Sequence, residues 1–116
     1  MTHEELPVFV CWYRFLGWLL DTTEKFPKRV RFTFSTRLDN LALDVLEKII
    51  EATYSKDKAL ILRKANLEIE KLRVLLRLCS EKQYLSIRGH EHAARELNET
   101  GKMIGAWIKE NTRRQK

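Results

Sequence analysis

The chain of 116 residues has few glycines and prolines, which interrupt helices, and few cysteines, which form disulfides and bind zinc. It contains 4 glycines, 2 prolines and 2 cysteines. So few glycines and prolines argue against a β-rich fold with many turns and against a proline-rich linker protein. Two cysteines are too few for a disulfide framework or for a four-cysteine zinc site.

The sequence also lacks an apolar run long enough to span a membrane. The longest apolar tract, from Pro7 to Leu20, is interrupted by Arg14 and is shorter than the roughly 20 residues that a transmembrane helix needs. Its upstream flank carries Glu4 and Glu5, whereas a signal peptide has basic residues there. We therefore expect a cytoplasmic protein with reduced thiols and no membrane contact.

What the chain does have is helical periodicity over nearly its whole length. Its 44% hydrophobic and 33% charged residues are sufficient for one folded domain over residues 1–116. Apolar residues recur at steps of three and four, as one face of an α-helix requires. The predicted helices cover about residues 6–25, 28–54, 57–84 and 87–112, followed by a frayed basic tail over 113–116.

The breaks between these helices are short. Pro27, the segment 55–57 and the segment 86–89 interrupt the pattern with residues that end or cap helices. Short connections make neighbouring helices antiparallel. The sequence therefore predicts an all-α fold, an antiparallel up-down-up-down four-helix bundle.

The third predicted helix carries two apolar stripes on opposite sides. One stripe, between Leu62 and Cys79, has the spacing of a bundle core. The other consists of Leu60, Leu67, Val74 and Leu78. Isolated exposed leucines are common in monomers, which is the simpler interpretation. We favour the interpretation that the second stripe packs on another copy of the chain, which predicts a homo-oligomer.

No set of residues suited to catalysis or metal binding stands out. His90 and His92 are two residues apart, about 200° around a helix, and so cannot chelate one metal ion. Cys11 and Cys79 fall within or beside apolar stripes, where a free cysteine usually acts as a small buried hydrophobic residue. We predict no enzymatic activity, no cofactor and no metal.

Basic residues are the informative polar feature, because the formal net charge is +6. A basic face attracts phosphates through counterion release, without regard to base sequence. The candidate nucleic-acid-binding residues are Lys28, Arg29, Arg31, Arg37, Arg63, Lys64, Lys71, Arg73 and Arg77. Phe32, Phe34 and Tyr54 are the aromatic candidates for stacking on bases. The alternative is a solvated face with intrahelical ion pairs, such as Arg73–Glu70 and Arg77–Glu81.

Four segments carry a more specific pattern. They are TTEKFPKRVRFTF (22–34), RLDNLALD (37–44), LEIEKLRVLLRL (67–78) and EHAAREL (91–97). These segments resemble the accessory variability determinant (Avd) proteins of diversity-generating retroelements, over about residues 18–110. The run Phe-Pro-Lys-x-x-Arg-Phe-Thr is the most specific element. The wider superfamily includes ribosomal RNA intervening-sequence proteins, which share the four-helix bundle.

The resemblance implies more than the residues alone do. Avd proteins form a pentameric, barrel-like ring that is basic, binds nucleic acid and associates with the reverse transcriptase of the element. Together they support adenine-specific mutagenic copying of a template-repeat RNA into cDNA, and the accessory protein has no catalytic centre. By this resemblance Lys28, Arg29, Arg31 and Arg37 would face RNA or the polymerase. Two other functions stay open: a ribosomal RNA-associated bundle that acts without a polymerase, and a helical interaction module with an acidic partner protein.

Overall fold

The computed structural model describes residues 2–114, and all regular secondary structure in that range is helical. Helix α1 spans Pro7–Glu24, α2 spans Thr36–Tyr54, α3 spans Lys58–Glu81 and α4 spans Ile87–Arg114. A short 3-10 helix, His3–Glu5, precedes α1. The all-α prediction is confirmed.

The four helices form a bundle 49 Å long and about 20 Å wide. Each helix packs on the next one in sequence, and α4 closes the bundle against α1. The predicted core stripe of α3 is buried along its whole length. Trp12 of α1 is also fully buried, and its indole Nε1 donates a hydrogen bond to the Ala42 carbonyl oxygen at 2.8 Å.

The second helix begins later than the sequence predicts. The regular α-helix expected from residue 28 starts at Thr36, because residues 28–35 form a 3-10 turn and then a π-helical turn. Side-chain hydroxyls bond to carbonyl oxygens in this irregular stretch: Thr36 Oγ1 donates to Arg31 at 2.9 Å, and Thr33 Oγ1 donates to Val30 at 3.3 Å. The observed start of α2 thus leaves a compact, non-α connection after α1.

The third helix ends earlier than predicted, at Glu81 instead of residue 84. Gln83 adopts a left-handed backbone conformation with φ of 65°. Its N–H donates to the Ser80 carbonyl, and the Tyr84 N–H donates to the Cys79 carbonyl at 2.9 Å. These two bonds are those of a Schellman motif, which stops a helix.

The last helix is longer than predicted. Arg113 and Arg114, assigned by the sequence to a frayed tail, continue α4 and form ion pairs with Glu110. The rest of that predicted tail, residues 115–116, lies outside the described residues. At the other end of α4, the Ser86 hydroxyl accepts a hydrogen bond from the Gly89 N–H at 2.9 Å, as a helix cap does.

Candidate nucleic-acid interface

The connection between α1 and α2 presents basic side chains on a well-anchored backbone. Phe26 and Val30 are buried in the core on either side of Pro27. The Val30 N–H donates to the Pro27 carbonyl oxygen at 3.0 Å, which closes the turn. Because these apolar side chains point inward, the residues around them point outward. Lys28, Arg29 and Arg31 are all exposed.

The aromatic candidates separate clearly in the structure. Phe32 is 83% exposed, in the π-helical turn directly after Arg31. Phe34 is half-buried, with its ring centroid 5.9 Å from that of Tyr84. Tyr54 lies at the opposite end of the bundle, where its hydroxyl is 3.0 Å from His3 Nδ1. Of the three aromatic candidates, Phe32 is therefore the one whose ring is exposed next to the basic residues Lys28, Arg29 and Arg31.

Tyr84, which the sequence did not single out, organises the same region. Its ring contacts Phe26 and Phe34, and the Arg29 guanidinium carbon lies 5.3 Å from the ring centroid, in cation–π range. Tyr84 belongs to the connection between α3 and α4, which brings Arg88 close to Lys25 in a shared groove. We call this end of the bundle, formed by residues 25–37 and 82–92, the basic end.

The main cations of the basic end form no ion pairs within the described residues, although Glu24 and Asp39 line the same groove as Lys28 and Arg31. Within residues 2–114, no carboxylate lies within ion-pair distance of Lys28, Arg29, Arg31 or Arg37. The nearby Asp39 carboxylate instead accepts a hydrogen bond from the Thr23 hydroxyl at 2.7 Å, and burial raises its pKa. Unpaired cations with exposed side chains are available to phosphate oxygens.

The basic residues of α3 form a second group with a different setting. Arg73 is held by Glu70 at 3.1 Å and by the Asn98 side chain, so the predicted Arg73–Glu70 pair is confirmed. Arg77 does not pair with Glu81 among the ion pairs of the described residues. The exposed members of this group are Arg63, Lys64, Lys71 and Arg77. Lys71 shares a groove between α2 and α3 with Arg37.

These α3 cations border the predicted interface stripe. The stripe residues are exposed by 50% (Leu60), 58% (Leu67), 45% (Val74) and 38% (Leu78). On a helical projection Lys64 and Lys71 lie on one side of the stripe, and Arg63 and Arg77 lie on the other. The same face of α3 therefore carries both predicted sites. A second subunit that covers the stripe would also cover part of these cations. Arg37 of the basic end lies in the groove that the stripe residue Val74 lines, whereas Lys28, Arg29 and Arg31 lie outside that groove.

The other candidate residues for a chemical role, His92, Cys11 and Cys79, are packed against neighbouring side chains or buried. The His92 ring packs on Trp18, with centroids 4.6 Å apart. Both thiols are buried. Burial raises the pKa of the Cys79 thiol to about 11 and also raises the pKa of the Cys11 thiol. In the part of the chain that the structure describes, no three His, Cys, Asp or Glu side chains are grouped to hold a metal ion. No helix there is long and apolar enough to cross a membrane.

Comparison with known families places this geometry in context. A family model described as bAvd-like matches residues 10–111. The chain belongs to the bAvd-like family. The predicted resemblance to Avd proteins is thereby confirmed, and the match begins within α1, before the segments in which the sequence showed it. No curated protein matches the chain. The bAvd-like region includes the basic end and the α3 stripe.

Proposed function

We propose that this bAvd-like protein is a non-enzymatic accessory protein that binds nucleic acid through its basic end. Its role would be to associate with the reverse transcriptase of a diversity-generating retroelement and to support mutagenic copying of template-repeat RNA into cDNA. The observation that carries the proposal is that four exposed cations, Lys28, Arg29, Arg31 and Arg37, flank the exposed Phe32 along the chain and form no ion pair within the described residues. Family membership supports the Avd role, and the cytoplasm is the compartment in which we expect it.

The chemistry of the basic end fits single-stranded nucleic acid. Cations that track a phosphate backbone supply affinity without sequence preference. An exposed aromatic ring adds stacking, which every base can accept. Lys28 lies in the 3-10 turn, and Arg31 and Phe32 lie in the π-helical turn that follows it, so a strand that contacts these cations passes close to the ring.

We further propose that the protein assembles as a homo-oligomer, with the pentamer of Avd proteins as the expected state. The exposed stripe of α3 supplies an apolar contact surface. In a closed ring the basic ends of all subunits add their fields, so a modest charge per chain becomes a large one. The α3 cations then border the interfaces and extend the basic surface where the neighbouring subunit leaves them open.

The decisive experiment compares two double charge reversals that change the net charge equally. Arg29→Glu with Arg31→Glu alters the basic end, and Arg95→Glu with Lys102→Glu alters exposed positions of α4. Binding to single-stranded RNA is measured by fluorescence anisotropy over a range of salt concentrations. Each lost phosphate contact lowers the slope of log affinity against log salt by about 0.7. We therefore expect the basic-end variant to lose about 1.4 of slope and the α4 variant to lose much less.

The possible outcomes separate the competing functions. Equal losses in the two variants would show that only net charge matters, and would remove the assignment of the basic end. If the wild-type protein binds neither RNA nor DNA even at low salt concentration, the result would favour the alternative function, a helical interaction module with an acidic protein partner. Binding to RNA without co-purification of a co-expressed retroelement reverse transcriptase would favour the ribosomal RNA-associated function.

A further inference from the structure

Helix α1 also carries an exposed apolar stripe, opposite its buried face. Val10 is 52% exposed, Tyr13 is 63% exposed and Leu20 is 39% exposed. Their spacing of three and seven places them in one line along the helix. Gly17 lies in the same line, and a Cβ atom added to it would meet nothing within 4 Å. The stripe is therefore an open surface with room for side chains from another molecule.

The α1 stripe and the α3 stripe face away from each other. The packing order runs from α1 to α2, α3 and α4 and back to α1, which places α1 and α3 at diagonal corners of the bundle. Each stripe lies on the side of its helix that is turned from the core. One subunit therefore presents two distinct apolar faces in roughly opposite directions. Two such faces suit head-to-tail contact, in which one face of a copy meets the other face of the next.

The α1 segment and the border of the α3 stripe differ in the sign of their net charge. Residues 1–26 contain four acidic and two basic side chains, and one of these bases, Arg14, is paired with Glu96 at 3.3 Å. The exposed acids beside the α1 stripe are Glu4, Glu5, Asp21 and Glu24. At the end of this stripe, Leu20 shares a groove with Glu24 and also with the cations Lys28 and Arg31. The α3 stripe is bordered by four exposed cations, Arg63, Lys64, Lys71 and Arg77, and by two exposed acids, Glu70 and Glu81, so its border is net basic. Opposite charges steer association and disfavour contact between two like faces.

The two helices also match in direction. The start of α1 lies near the α2–α3 turn, because His3 contacts Tyr54, and the end of α1 lies near the end of α3, because Phe26 contacts Tyr84. Helices α1 and α3 thus run in the same direction. Consider a ring whose axis is parallel to the long axis of the bundle. The acids near the start of α1 in one copy, Glu4 and Glu5, then lie level with the cations near the start of α3 in the next copy, Arg63 and Lys64. The late acids, Asp21 and Glu24, then lie near the level of Arg77.

We infer that the α1 stripe of one subunit packs on the α3 stripe of a second copy of this chain. The contact buries Val10, Tyr13 and Leu20 against Leu67, Val74 and Leu78, with acidic and basic borders facing each other. This inference rests on the proposed homo-oligomer and adds the identity of the second face. The interface is heterologous, so it generates a ring or an open chain and not a symmetric pair.

Two single substitutions test the pairing. Tyr13→Glu blocks the α1 face and Leu67→Glu blocks the α3 face, and both positions are exposed, so the fold is retained. Light scattering should find each variant alone at the subunit mass of 13.8 kDa. A mixture of the two should form a complex of twice that mass, because the mixture retains one intact α3 face and one intact α1 face. Val10→Glu and Val74→Glu provide a second pair at exposed positions of the same faces.

Ala106→Glu, at an exposed position of α4, is the control and should keep the wild-type mass. The inference fails if Tyr13→Glu keeps the wild-type mass while Leu67→Glu does not, because α3 would then pair with α3. The converse result would mean that α1 pairs with α1, which also overturns it. A mixture that stays at the subunit mass contradicts the pairing as well. Wild-type protein at 13.8 kDa would instead remove the proposed oligomer itself.

Discussion

At the scale of single residues, Gln83 carries an energetic cost that its side chain does not offset. It holds the left-handed position that stops α3, with φ of 65°. For a residue with a Cβ atom this conformation costs roughly 1–2 kcal/mol, which glycine avoids. We expect Gln83→Gly to raise the free energy of unfolding by about 0.5–1 kcal/mol, measured by urea denaturation. Gln83→Ala is the matched control, and a gain as large as that of glycine would contradict the explanation.

Phe32 is the residue for which exposure has the clearest functional consequence. Stacking of one base on an aromatic ring contributes roughly 1–3 kcal/mol, so Phe32→Ala should weaken binding to single-stranded RNA by about 5- to 150-fold. Phe32→Tyr should retain the affinity. Ile87→Ala, at an apolar position of the same end that is 75% exposed, is the control.

An RNA that lacks bases at the contacted positions gives an independent check of stacking. On such a strand the wild-type protein and Phe32→Ala should bind alike, because the phosphates remain and the bases do not. A persistent difference between the two proteins would mean that Phe32 acts through the fold of the turn and not through base stacking.

At the scale of helices, the end of α2 is capped by a side chain from α3. The Lys58 ammonium donates hydrogen bonds to the carbonyl oxygens of Ala52, Thr53 and Ser55, at 2.8, 3.1 and 2.8 Å. These oxygens lack partners within the helix, and a cation is favourable at the negative end of the helix dipole. We expect Lys58→Met to lower the free energy of unfolding by about 1–2 kcal/mol.

Lys64→Met serves as the comparison for Lys58→Met, since Lys64 is an exposed lysine of the same helix. Thermal denaturation followed by circular dichroism measures both variants. An equal loss of stability in the two would mean that the cap contributes nothing beyond the charge.

Helix boundaries show which parts of the fold the sequence could predict. The start of α4 at Ile87 was predictable, because Ser86 is a capping residue. The end of α3 was not, because a glutamine occupies the position where glycine usually marks the stop. The late start of α2 was hidden for a different reason: the apolar spacing of residues 30–38 suits a helix, and the π-helical turn keeps Val30 and Leu38 buried.

At the scale of the whole molecule, binding and assembly should be linked. If each subunit contributes one basic end, a long RNA gains affinity from several contacts at once. Leu67→Glu, which blocks assembly, should therefore lower the affinity for a long RNA by 10-fold or more. Its affinity for an oligonucleotide that spans a single basic end should be unchanged.

Ala106→Glu adds the same charge outside both stripes and should preserve the wild-type affinity for both RNAs. Equal loss on the short and the long RNA would show that Leu67 acts on the site itself. In that case assembly would have no part in the affinity.

The candidate site was partly predictable from sequence. The cations of residues 28–37 stood out because no acid is interspersed among them. Tyr84, Lys25 and Arg88 did not, because only folding brings the α3–α4 connection beside the α1–α2 connection. The α1 stripe was hidden within the apolar run 8–20, where nearly every residue is hydrophobic and periodicity cannot separate the inner side from the outer side.

The antiparallel arrangement of an even number of helices has a practical consequence for how the protein can be handled. His3 lies beside Tyr54, and the last turn of α4 lies beside Arg63. Both ends of the described chain therefore lie at the end of the bundle opposite Phe32. An affinity handle or a fluorophore attached at His3 or in the last turn of α4 would project away from the surface assigned to RNA. Immobilisation through these positions would leave that surface oriented toward the solution.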